Sequence, residues 1–344
     1  MSHLYRGRMP NRPASMRDVA RRAEVSLSTV SRVLRGATGV SPDVRDKVRA
    51  AADELSYAVS RNASGLVTGR TYRVAVVVPC LRPWYFASVV SGLGHALHGA
   101  GLDMLVHQAG HMEDWAHDLS LRHNSDALVA VAMELTEEQC AHTADMAGPV
   151  VLVGERLPGR ASVHIDDHAG TAGATRHLLN LGHTRIAYIG SRTDRGMSLS
   201  SAARLAGYHE TMAEAGLKPW SVAKTPGPEG GELAVGELLS HQSPPTAVLA
   251  ESDDVALGAH RALRRSGVPV PEKISLMGFD DHDVSSVLDL TTVDQAPQAL
   301  GTVTGHLVAD LVQGRRPPDT RVELPVQIVP RQSTAAPQER RTSP

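Results

Sequence analysis

The chain has 344 residues, 42% apolar and 21% charged, a composition that excludes a predominantly disordered protein and leaves room for two or three domains. Its net charge of −2 is strongly segregated: residues 1–73 carry 14 Lys and Arg against 6 Asp and Glu, net +8, which leaves −10 for the remainder. A basic head on an acidic body points to a polyanion, the apolar runs fall far short of the ~18 residues of a bilayer span, and Cys80 and Cys140 are too few for a disulfide framework or a zinc site.

Residues 1–15 are basic and lack the apolar centre of a secretion signal, so they read as an unstructured extension of a cytoplasmic protein. Met16 to Ala23 then places Val19, Ala20 and Ala23 at helical spacing with arginines between them. After a short turn, Ser26 is a good N-cap for Leu27 to Leu34, which turns Val30, Val33 and Leu34 inward and Ser28, Thr29 and Arg32 outward. Two short helices so joined make a helix-turn-helix. Ser41-Pro42 announces a third helix with Val44, Val48, Ala51, Ala52 and Leu55 inward, completing an all-α domain over residues 16–58. Residues 59–71, polar and glycine-containing, read as a linker in which Ser60 caps a short helix that sets Asn62, Ala63 and Leu66 near one face.

Beyond the linker the texture changes to apolar runs alternating with helical patterns: Val74 to Val78, Leu102 to Val106, Ala127 to Met133, Val150 to Val153, Ile186 to Ile189, Ala247 to Ala250 and Ile274 to Met277. Continuous Val, Ile and Leu runs separated by helices indicate parallel sheets covered on both faces. Residues 72–334 exceed what one doubly wound unit needs, so the fold class is an all-α head plus an α/β core of two doubly wound parallel-sheet lobes. Residues 335–344 read as a disordered tail.

The stretch MRDVARRAEVSLSTVSRVLR from Met16 to Arg35, followed by Val40-Ser-Pro and a helix ending at Leu55-Ser-Tyr57, closely resembles the DNA-binding head of the lactose/galactose-repressor family of bacterial transcription factors. VAVVVP from Val74, LGHTRIAYIG from Leu181, RLAGY from Arg204, DDVALG from Asp253 and ISLMGFDD from Ile274 resemble successive landmarks of that family's effector-binding core. The resemblance implies a fold like the periplasmic sugar-binding proteins, with crossovers near residues 165, 292 and 320. Lobe 1 then comprises about 72–165 and 293–319, lobe 2 about 166–292 and 320–334.

In the head, the resemblance places Ser26, Leu27, Ser28, Thr29 and Arg32 at the major groove of an operator. Arg32 can donate two hydrogen bonds to a guanine, worth about 1 to 3 kcal/mol of discrimination, or it can touch a phosphate and add affinity alone. The linker becomes a hinge helix whose Asn62, Ala63 and Leu66 enter the minor groove, Leu66 as a wedge; the plainer reading of Leu66 is packing onto the core. Glu24, Val59, Ser64, Gly65 and Pro226 depart from the family pattern.

In the core, Phe86, Ser200, Arg204, Ser252 and Asp280 match effector-site positions: an aromatic wall, a guanidinium donor, hydroxyls and a carboxylate acceptor. The plainer readings are a lobe-to-lobe salt bridge for Arg204 and a turn or helix cap for Asp280. His164 to His168 and Asp280 to Asp283 could be imagined as metal sites, but both follow strands and lack a second ligand set, so no metal is expected. Gly92 to Leu97 lacks the third glycine of a dinucleotide loop, Gly196 to Ser200 lacks the last glycine of a nucleophile elbow, and no P-loop occurs, so neither cofactor nor catalysis is expected. The resulting expectation is a homodimeric regulator, a repressor, that binds a pseudo-palindromic double-stranded operator and answers a small molecule, a sugar or related metabolite, held between two lobes. The rivals on the same core are a solute-binding protein and an enzyme.

Overall fold

The computed structural model describes residues 14–34, 37–57, 70–109, 124–133, 136–144, 148–193 and 196–338. The chain divides into two compact units, Met1–Thr71 and Tyr72–Pro344. In the first, α1 (Met16–Arg22), α2 (Leu27–Leu34) and α3 (Pro42–Glu54) enclose Val19, Ala20, Ala23, Val30, Val33, Val48, Ala51 and Ala52, while Val44 is only half-buried. Ser15 and Asp18 form a reciprocal capping box on α1, and Pro42 opens α3 where its missing N–H costs nothing.

In the second unit, lobe 1 is a six-stranded parallel sheet in the order β11-β5-β4-β3-β1-β2: β1 (Arg73–Val78), β2 (Asp103–Gln108), β3 (Ala127–Val131), β4 (Val150–Val153), β5 (Ala161–Ile165) and β11 (Arg321–Leu324). Lobe 2 is a four-stranded parallel sheet in the order β7-β6-β8-β9: β6 (Ile186–Ser191), β7 (Trp220–Lys224), β8 (Ala247–Ala250) and β9 (Ser275–Met277). The central strands are buried along their length, which explains their unbroken Val/Ile/Leu character. The second unit also holds α4 (Trp84–Gly99), α5 (Glu137–Ala144), α6 (Asp167–Asn180), α7 (Leu199–Glu214), α8 (Pro228–Leu239), α9 (Asp253–Arg265), α10 (Asp283–Val287) and α11 (Pro297–Val312). Gly92 lies in mid-helix, where α4 crosses α11 so closely that a Cβ on Gly92 or Gly301 would collide with the facing backbone.

Three crossovers connect the lobes. The first separates β5 from α6, at residue 166. The second follows β10 (Thr292–Asp294), which bridges to the edge of the lobe 2 sheet at Asp280↔Asp294; Ala296, left-handed at φ 48°, then turns the chain into α11. The third was expected near residue 320 with 320–334 in lobe 2, and this requires correction. β11 pairs with β5 inside lobe 1, Pro325 follows it, and the chain joins lobe 2 from β12 (Gln327–Val329), antiparallel to β10, through Ser333 and Ala335, which bond to β9 at Leu276 and Ser275, so Ala335 is not part of the expected unstructured tail. A half-exposed edge strand of alternating polar and apolar residues lacks the apolar run that marks the central strands.

Candidate DNA-contact surface and effector cleft

In the head, Ser26 caps α2 by accepting the Thr29 N–H at 3.1 Å, and its hydroxyl meets those of Ser28 and Thr29, each at 2.8 Å. Ser26, Leu27, Ser28 and Arg32 are exposed and Thr29 half-buried, so all five expected groove residues lie on the first two turns of one helix and its cap. Leu27, 44% exposed, is a large apolar side chain left without a core, as a contact to a thymine methyl would require. The Arg32 guanidinium rests 3.5 Å from the Thr38 carbonyl, a long contact that leaves it free to swing to another acceptor. Glu24 sits at φ 57° in the turn, the left-handed conformation for which glycine or asparagine is suited. Asn62, Ala63 and Leu66 lie outside the described residues.

The cleft is built where strands end. Just beyond β9, Phe279 is buried and Asp280 and Asp281 both take positive φ, 131° and 56°. Strain of that kind costs about 1 to 3 kcal/mol per residue and persists only where neighbours impose it. Here Asp280 N–H donates to the Val293 carbonyl at 2.8 Å, Gln295 donates to the Asp280 carboxylate, and Arg331 holds Asp281 at 2.6 Å. Behind them Asp253, fully buried at the start of α9, accepts from His282 N–H, Ser285 and Thr292 and so pins the loop to the helix.

Arg204, on α7, is the hub. Its Nε donates to Asp167 at 2.7 Å, its NH1 donates to the Glu251 carbonyl at 2.7 Å and lies 3.8 Å from Asp280, and its guanidinium stacks 3.7 Å above the Phe279 ring. Burial disfavours the guanidinium charge, but Asp167 and Asp280 outweigh it and raise its pKa further. Burial raises Asp280 well above the ordinary carboxylate range, with Arg204 opposing. From lobe 1, Tyr85 on the first turn of α4 feels the same group of charges: burial first, then Asp167, with Asp280 and Glu155 beside it, pushes its phenol up.

The expected cleft residues therefore divide. Arg204 and Asp280 come together. Ser252 caps α9 by accepting the Val255 N–H at 3.3 Å, and Ser200 lies one turn before Arg204 with its hydroxyl 3.3 Å from that of Ser198. Phe86 packs edge-on against Tyr85 at 5.3 Å, but the aromatic ring beneath the guanidinium is Phe279. Asp167, Tyr85, Glu155 and Glu251 were not singled out by sequence. Across the cleft the Trp84 indole donates to Asp283 at 3.2 Å and stacks on His282 at 4.9 Å, linking lobe 1 to lobe 2. His164 faces Glu323 and His168 faces Glu210, and among the described residues no three metal-binding side chains converge.

A three-helix head exposing one polar helix, with a two-lobed α/β core built around a charged cleft, defines a ligand-responsive DNA-binding regulator. Residues 15–60 match the model for bacterial regulatory proteins of the lacI family, and residues 175–334 match the periplasmic binding protein-like domain. The transcriptional regulator GalR of Escherichia coli K12 is 34% identical over 335 residues, 94% of this chain and 96% of that protein. GalS of Salmonella typhimurium is 35% identical over 291 residues, 81% and 84% of the respective chains. Among solved structures, the lac repressor dimer bound to operator and the anti-inducer ONPF superposes with a TM-score of 0.85 at 28% identity, covering 94% of this chain and all of that one. A complex of the regulator CelR with cellobiose gives 0.69 at 29% identity, covering 93% and 99%. The chain belongs to the lacI family of bacterial regulatory proteins and is a DNA-binding transcriptional regulator.

Proposed function

We propose that this regulator is a cytoplasmic homodimeric repressor that holds a small hydroxylated effector between its lobes, binds it without transforming it, and changes operator affinity in response. One observation carries the effector reading: Arg204, Asp167, Asp280 and Phe279 of lobe 2 share a single charge network with Tyr85 of lobe 1, at the carboxyl ends of parallel strands. A ligand that accepts from Arg204 and donates to Asp280 stabilises the closed pair of lobes over the open one, and it can shift DNA binding only by that differential affinity. Phe86, Ser200 and Ser252 are assigned to the walls of the same cleft. In the head, Ser26, Leu27, Ser28, Thr29 and Arg32 are assigned to the major groove and Asn62, Ala63 and Leu66 to the minor groove. A C2 dimer then reads two half-sites, a reading supported by the lac repressor structure, which is a dimer bound to operator.

Screening sugars and nucleosides by thermal shift tests this reading, since a ligand at 100 times its dissociation constant adds about 2.7 kcal/mol of stability. A hit is expected to alter operator affinity by the ~5- to 150-fold of ordinary allosteric coupling. Turnover of a hit, or stabilisation that leaves operator affinity unchanged, would contradict it.

A further inference from the structure

At the base of the cleft, where β6 and β8 end, Glu251 Oε2 and Ser191 Oγ, on residues 8% and 6% exposed, have no hydrogen-bond partner, and neither does the OH of Tyr188, set back in mid-β6 with its ring buried against Tyr208. Two of them flank Gly190, where a Cβ would stand 3.1 Å from Tyr188 Cε1 and 3.6 Å from Glu251 Oε2. Leaving such groups unsatisfied costs about 1 to 3 kcal/mol each, more for a charged one. Side chains kept at that cost inside a ligand cleft point to a partner that arrives with the ligand.

Charge says what the partner is. Glu251 and Asp167 both act on the Tyr188 phenol, and Arg204 is the cation opposing them. The same Arg204 is engaged through Nε by Asp167, while its contact with Glu251 goes to the backbone carbonyl and not to the carboxylate. A neutral polyol could donate hydroxyls to these oxygens, but it brings no positive charge to set against the Glu251 carboxylate. An ammonium group supplies both the charge and up to three donors. Phe279 is buried beneath Arg204, so the aromatic surface open to a sugar ring is that of the half-buried Tyr85 and Phe86 on the first turn of α4.

We propose that the effector is an amino sugar, a hydroxylated ring whose protonated amine sits against the Glu251 carboxylate. This rests on the reading of the cleft as the effector site and names the chemistry of its ligand.

The test is calorimetric titration of the intact protein at mildly acid pH with glucosamine and galactosamine, each beside its neutral parent, glucose and galactose. At least one amino sugar is expected to bind about tenfold or more tightly than its parent, equivalent to ~1.4 kcal/mol. Glu251→Gln is expected to erase that preference, the affinity ratio of each amino sugar to its own parent falling to about one in the variant, with its melting temperature measured alongside to show that it folds. Failure of both amino sugars to bind, equal affinity within each pair, or a preference that survives in Glu251→Gln would overturn the proposal. A neutral sugar or nucleoside that binds and alters operator affinity while the amino sugars stay idle would refute the amine alone. Binding indifferent to Arg204→Ala would instead remove the cleft as the site.

Discussion

Asp280 is a buried carboxyl on strained backbone, facing Arg204 and held by Gln295. Burial raises its pKa above the unfolded value, so the folded state binds the extra proton, and the resulting stability is present at low pH and lost as pH rises through the raised pKa. Asp280→Asn keeps an acceptor and removes this loss. We expect the variant to melt about 2 to 4 °C above the wild type at pH 7.5, equivalent to ~1 kcal/mol, with the gap closing as pH falls toward the ordinary carboxylate range. Calorimetric scans across that range check it; a variant less stable at pH 7.5 would contradict it. In the head, Arg32→Ala is expected to weaken operator binding at least tenfold more than random-DNA binding, because a base-edge contact exists only on the operator. Equal losses in anisotropy titrations would make Arg32 a phosphate contact. The pairing of Arg204 with Asp167 was not legible in the sequence because the residues stand 37 positions apart on different helices, and no spacing rule joins them. Phe86 attracted notice as one of only two phenylalanines, yet the other, Phe279, is the one brought under the guanidinium by the left-handed turn that follows it.

The central strands were legible because they are buried, and the half-exposed edge strand β2 was read as well, from the run Leu102 to Val106. β1, β3, β4, β6 and β8 are continuous apolar runs and stood out; β5, equally buried, did not, because Ser162 and His164 interrupt it, and these polar side chains are accommodated by facing each other at 3.4 Å. Edge elements such as β7 and β11, half-exposed with alternating pattern, gave no run at all, which also displaced the third crossover. In the turn between α1 and α2, Glu24 adopts φ 57°, so Glu24→Gly is expected to stabilise the head by about 1 kcal/mol, read as a higher urea midpoint at constant slope. A lowered midpoint would mean that the Glu24 side chain contributes more than its backbone costs. The start of α4 and the loop before α10 form the clasp of Trp84 on His282 and Asp283, which binds the lobes on one side of the cleft. Trp84→Ala is expected to weaken effector affinity severalfold by raising the population of the open form, without altering the affinity of the effector-free protein for DNA. Unchanged effector affinity in that variant would show that the clasp does not contribute to closure.

At the scale of the whole molecule, the division of charge carries the functional logic. A head of net +8, doubled in the proposed dimer, is expected to release counterions from several phosphates, whereas the −10 remainder repels DNA and accommodates a ligand cleft lined with carboxylates. The fold and family were legible because apolar periodicity and the text of the recognition helix are local properties; the cleft's charge balance was not, because it is assembled from α6, α7 and the ends of three strands. An effector-controlled dimer is expected to read a two-fold symmetric DNA site through α2. Selection of binding sites by the intact protein from a random-sequence duplex library, at one fixed salt concentration, measures this. Enrichment of a pseudo-palindrome with two equivalent half-sites is expected, lost when residues 72–344 are used alone. No enrichment over the input library, or an enriched motif without two-fold symmetry, would contradict it.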